Sequence, residues 1–204
     1  MANHFLIANT AGTLASIIRR RLAELGLGAV EVGVVSAGLL KEGLKENFVS
    51  IFPYLVSKCA EAWNAPETVL KDGSRRRPPL TLEICFLITP WAVRSSADRE
   101  SEATATKGEM DVLGAVMQAL HDEPEVSGAD LATKSDVAAE GQWGAVDSLQ
   151  ILLEPLTVET MYRIWDAAEI GYKLSVAYRV RVGSLESGRS TKAPPVVVAS
   201  LEAA

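Results

Sequence analysis

Residues 173–182, KLSVAYRVRV, decide the fold. Leu174, Val176, Tyr178, Val180 and Val182 fall on one face of an extended chain, with Lys173, Ser175, Ala177, Arg179 and Arg181 on the other. Side chains alternate across a strand, so this pattern describes a sheet packed on one side and wet on the other. Residues 80–89, LTLEICFLIT, repeat the period, with Leu80, Leu82, Ile84, Phe86 and Ile88 forming one wholly apolar face. Two such strands a hundred residues apart predict a sheet assembled by tertiary folding.

The remaining elements attach to these two. Leu14, Ile17, Ile18, Leu22 and Leu25 recur at helical spacing, followed by Gly26, with Arg19, Arg20 and Arg21 late in the run, where cations favour the negative end of a helix. Residues 29–35, AVEVGVV, read as a strand, and residues 36–47 as a polar loop. A further β-rich stretch runs from Phe48 to Trp63; Pro53 inside it lacks an N–H, which places this strand at an edge or at a bulge. Residues 71–79, KDGSRRRPP, predict a hairpin whose tip carries Arg75, Arg76 and Arg77. Residues 92–108 hold almost no large apolar side chain and predict a mobile loop. Met110, Leu113, Val116, Met117 and Leu120 mark a second helix, stopped by Pro124. Residues 125–147 read as irregular, Leu149, Ile151 and Leu153 as a strand, and Thr157 as the cap of a third helix buried through Val158, Met161, Tyr162 and Trp165. PPVVVASL, residues 194–201, is a candidate last strand. Together these predict one α+β domain spanning residues 1–204, its mainly antiparallel sheet covered by helices on one face.

The chain has 204 residues, 48% of them hydrophobic and 23% charged, which excludes general disorder and suffices for a core without staples. A net charge of −6 argues against a nucleic-acid binder held by phosphate neutralisation. Cys59 and Cys85 sit in apolar runs and suit buried thiols in a reducing compartment. The opening residues MANHFLIANTAG lack the basic segment of a cleavable signal, and no stretch reaches the ~18 apolar residues of a membrane span.

Catalytic chemistry finds no foothold in the pattern. Histidine supplies only His4 and His121, the latter at a helix end where it can meet the last carbonyls. No short ligand pair suits zinc, Gly26-Leu27-Gly28 follows a helix and not a strand, and no Gly-x-Ser-x-Gly elbow occurs. Asp98, Glu100 and Glu102 read as solvated charges. The residues alone present no active site, and neither a cofactor nor a metal is expected. Arg75, Arg76 and Arg77 remain as a local positive spike that could pair with an acidic partner, and Pro53 as the mark of an edge on which a partner strand could add. Either feature can equally be plain surface structure.

Four stretches, taken in order, resemble one family. They are MANHFLIANTAGTLASIIRRRL at residues 1–22, PLTLEICFLITPWA at 79–92, VLGAVMQALHDEP at 112–124 and EPLTVETMYRIWDAAEIGYKLSVAYRVRVGSLES at 154–187. The chain resembles the cap, or tail-terminator, proteins of contractile injection systems, the phage-tail-like particles of the antifeeding-prophage and virulence-cassette type. That resemblance implies a tail-terminator-like fold and a structural role in a protein that is not an enzyme: a homohexameric ring that ends inner-tube growth and joins the last sheath ring. It further implies tube and sheath subunits as partners and the cytoplasm as the place of assembly, while the net charge and the lack of a long apolar run predict no nucleic acid and no membrane insertion. The alternative of a different class is a small-molecule-binding or enzymatic α+β domain with its pocket under residues 92–108.

Overall fold

A computed structural model of the chain describes residues 4–36, 39, 47–60, 66–92, 99–128, 131, 143, 148–185 and 187–192. The first helix, α1 (Leu6–Glu24), buries Leu14, Ile17, Ile18 and Leu22 of the apolar stripe expected of it, whereas Leu25 lies just past its end and is exposed. It stops where Gly26 takes φ 75°. The Gly26 N–H there reaches the Ala23 carbonyl and the Leu27 N–H the Leu22 carbonyl at 2.8 Å. These two bonds satisfy carbonyls that the last turn would leave unpaired, and only glycine enters that backbone region without strain.

Strands β1 (Glu31–Val34), β2 (Phe48–Lys58), β3 (Thr68–Val69), β4 (Ser74–Arg76) and β5 (Leu80–Trp91) follow. Next come helix α2 (Arg99–Asp122), strands β6 (Glu125–Ser127) and β7 (Ser148–Leu153), helix α3 (Val158–Ala167), and strands β8 (Val176–Leu185) and β9 (Ser190–Lys192). The main sheet has the order β1-β2-β5-β8-β7-β6, and β3-β4-β9 form a smaller one. Among the described residues only β1 and β2 pair parallel, and every other pair is antiparallel. The α+β fold with a mainly antiparallel sheet is therefore present, and the two long helices share one face of it.

The two strands that open the sequence reading lie side by side at the centre, with Phe86 opposite Tyr178 and Ile84 opposite Val180. Their inward residues meet α1 and α2 in one core that includes Ile84, Phe86, Ile88, Val180, Val182 and Leu120. Leu87 and Ala177 point the other way, into a smaller cluster closed by Trp165 of α3. The reverse face is thus dry beneath α3, because a short amphipathic helix covers it. β8 also begins later than expected, at Val176, leaving Leu174 exposed.

Several expectations need correction. Residues 99–108 are not loop but the first turns of α2, while residues 93–98 lie outside the described set. Ser, Thr and charge concealed this helix because its early turns have an open side with little to bury. The buried stripe of α2 is Glu109, Val112, Leu113, Ala115, Val116, Ala119 and Leu120, so Met110 and Met117 face outward. Small alanines, which add little to a hydrophobicity pattern, set the phase. In α3, Thr157 caps as expected, accepting the Thr160 N–H, but Val158 and Tyr162 are exposed and Trp165 does the burying. Within residues 125–147, Glu125–Ser127 form a strand paired with β7, and most of the remainder lies outside the described residues. So do Trp63, most of the expected loop 36–47 and the candidate strand 194–201.

Candidate functional site

Pro53 sits at a bulge. The pairing of β2 with β5 shifts register between Pro53 and Leu55. The parallel partner β1 covers only Phe48 to Ile51. The edge reading holds for half the strand: Phe48–Ile51 is interior, and among the described residues Phe52–Lys58 has no strand on its outer side. Pro53 follows the last residues bonded to β1, where its missing N–H costs no ladder bond on that side. Leu55 and Val56 along the open stretch are exposed.

The three arginines are not the tip of a hairpin. The turn is made by Leu70 to Ser74, with the Gly73 N–H bonded to the Leu70 carbonyl and Gly73 at φ 78°. The Asp72 carboxylate accepts both the Ser74 N–H, at 3.0 Å, and the Ser74 hydroxyl, at 2.6 Å. Those bonds hold the Asp72 carboxyl below the ordinary range. Arg75 and Arg76 lie on β4, between β3 and β9, and Arg77 follows. Arg75 and Arg77 are exposed, whereas Arg76 is half-buried. Pro53 pairs with Phe86, six residues along β5 from the end that joins β4, a separation of roughly 20 Å at strand rise. The structure does not bring Pro53 and the arginines into one site.

Charges that the sequence offers no local reason to join meet on the reverse face of the main sheet. Arg179 donates to Glu154 at 2.6 Å and Arg181 to Glu83 at 3.1 Å, while Arg179 lies 4.0 Å from Glu83. Register places Glu83 opposite Arg181 and Cys85 opposite Arg179. Burial pushes the Cys85 thiol up from its ordinary pKa, and burial likewise raises Tyr54 beside it, with Cys85 adding to the effect. A thiol held protonated is a poor nucleophile or metal ligand.

A cleft of about 630 Å³ opens between α2 and the adjoining ends of β2 and β5. Phe48, Trp91, Glu100, Thr104, Glu109 and Val112 contribute to its walls. It lies where the pocket of the alternative reading was expected, although residues 99–108 form a helical wall instead of a loop. Glu109, 7% exposed, accepts the Ala92 N–H at 3.1 Å and faces Lys173 at 3.6 Å. Lys173 stands 5.3 Å from the centre of the Trp91 ring. The Trp91 indole donates to Ser50 at 2.8 Å and meets Trp165 edge-on with ring centres 6.0 Å apart. These contacts fasten α2, β5 and the segment before β8 together. Among the described residues no group of three or more His, Cys, Asp or Glu could hold a metal, and no helix is long and apolar enough to cross a membrane.

The fold has solved counterparts. The sheath/tube terminator of an extracellular contractile injection system, PVC, in its extended state, superposes with a TM-score of 0.61 at 16% identity, over 97% of this chain and 63% of that one. The tube-terminating cap of the anti-feeding prophage gives 0.61 at 17% identity, over 99% of this chain and 62% of the other. The chain thus spans less than two thirds of the length of either relative. No curated protein sequence matches it. Residues 10–199, nearly the whole chain, match the family described as the Pvc16 N-terminal domain, and the chain belongs to that family.

Proposed function

We propose that this protein is the structural cap, or tail terminator, of a contractile injection particle, ending inner-tube growth and joining the last sheath ring. It acts without catalysis or cofactor, as a homohexameric ring whose partners are the tube and sheath subunits, and it assembles in the cytoplasm of the producing cell. The observation carrying this reading is the family match over residues 10–199, supported by likeness to two terminators across almost the entire chain. A terminator has to hold its shape against a growing tube. The central strands, packed from both sides by helices, supply such rigidity.

The test is deletion of the gene from a particle-producing strain, with lengths measured by electron microscopy. Without a terminator nothing blocks addition of the next ring, so tubes of irregular length and tubes lacking sheath are expected. Particles of normal, uniform length would sink the reading.

A further inference from the structure

The small sheet redistributes the basic run. Arg75 lies opposite Thr191 and Arg76 opposite Ser190. Directly opposed residues of an antiparallel pair point to one side, and alternate residues share a face. Arg77 and Arg189 each lie one residue beyond the paired strands, and the same register carried on by one pair would set them beside each other, on the face that carries Arg75 and Thr191. Exposure agrees on the β4 side, where Arg75 and Arg77 are exposed while Ser74 is buried and Arg76 half-buried; Arg189 and all of β9 are exposed. The exposed triad is therefore Arg75, Arg77 and Arg189, joining residues more than a hundred positions apart.

Like charges facing each other across strands repel, and this triad has little internal relief. Arg75 has Glu67 at 3.9 Å, both side chains being more than half exposed. Asp72 is committed to Ser74. Arg77 and Arg189 make no ion pair among the described residues. Three guanidinium groups on one face offer flat, forked donors suited to carboxylates. Arg75 on β4 and Arg77 just past its end are two residues apart, about 6.6 Å at strand rise, which is the spacing of alternate side chains on another extended chain. The overall charge of −6 opposes approach of a long polyanion, whereas a short acidic segment meets mainly the local field.

We propose that the face bearing Arg75, Arg77 and Arg189 is a docking surface for an extended protein segment with carboxylates at alternate positions. Within an assembly of the kind proposed above, on which this inference rests for its setting, such a segment belongs to a neighbouring subunit.

The test uses the full chain and two fluorescein-labelled peptides of identical composition, one alternating Glu with Thr and the other carrying its Glu residues in a block. Anisotropy should show tighter binding of the alternating peptide. Binding should fall about tenfold in the Arg75→Ala, Arg77→Ala, Arg189→Ala variant and weaken at higher salt. Arg189→Ala alone should weaken binding as much as Arg77→Ala, and Arg76→Ala should change it less, with circular dichroism verifying the fold of each variant. Equal binding of both peptides, an Arg189→Ala variant that binds as the parent does, or equally tight binding of a single-stranded oligonucleotide of matched charge would each overturn the proposal. Peptide binding is independent of particle length, so failure here leaves the deletion experiment standing, and failure of that experiment leaves this result standing.

Discussion

Gly26 occupies a backbone region that side-chain-bearing residues enter only with strain, and nothing lies within 4 Å of where its Cβ would be. The cost of Gly26→Ala is therefore purely conformational, about 1 kcal/mol, read as a lowered urea midpoint with unchanged slope. A second residue-scale effect is electrostatic. Cys85, Tyr54 and Tyr178 all have pKa values raised above their ordinary ones, with burial the largest cause in each. The fold favours their neutral forms, whereas the unfolded chain ionises at ordinary values. Their contribution to stability is therefore complete below the unfolded thiol and phenol pKa values and is lost as pH rises from those values towards the folded ones. Urea midpoints should fall between pH 8 and 11, and the thiol of Cys85 should react with a disulfide reagent only as the protein opens; prompt reaction at pH 8 would contradict the burial assigned to it.

At the scale of elements, legibility followed how strongly each segment is amphipathic. β5 and β8 were readable because their alternation spans whole strands, and α1 because its stripe ends at a glycine. The start of α2 was not readable: residues 99–108 carry Ser, Thr, Ala and charge, and their helical state is dictated by continuity with the buried turns from Glu109 onward. The arginine triad was half legible. Arg75 and Arg77 stand in one run, but Arg189 joins them only through the pairing of β4 with β9, which no local pattern signals. The Thr157 cap marks helix α3, and of the four residues the sequence points inward the fold buries Trp165, packs Met161 partly beside it and leaves Val158 and Tyr162 exposed. Trp165 is 1% exposed and packs on Leu87 and Ala177. Trp165→Ala should therefore cost about 3–5 kcal/mol and reduce the near-ultraviolet circular dichroism of the Trp91–Trp165 pair; a loss below about 1 kcal/mol would show that α3 lies only loosely on the sheet.

For the whole molecule, the decisive physical question is closure. A protein that ends a polymer must contact its own copies without offering them the surface on which the polymer grows. Heterologous contacts meet that requirement when the rotation between neighbours closes into a ring, whereas a rotation that fails to close makes an open helical filament. A net charge of −6 makes separate protomers repel one another, so the ring proposed above requires localised complementary surfaces, and a tube end acting as template would favour it. Mass photometry across a dilution series, with and without short tube segments, should therefore populate one closed species of about six protomers, favoured by tube, with no ladder of larger assemblies. A continuous ladder would mean that the contacts propagate instead of closing, and a chain that remains monomeric both alone and with tube would remove the ring from the proposed function.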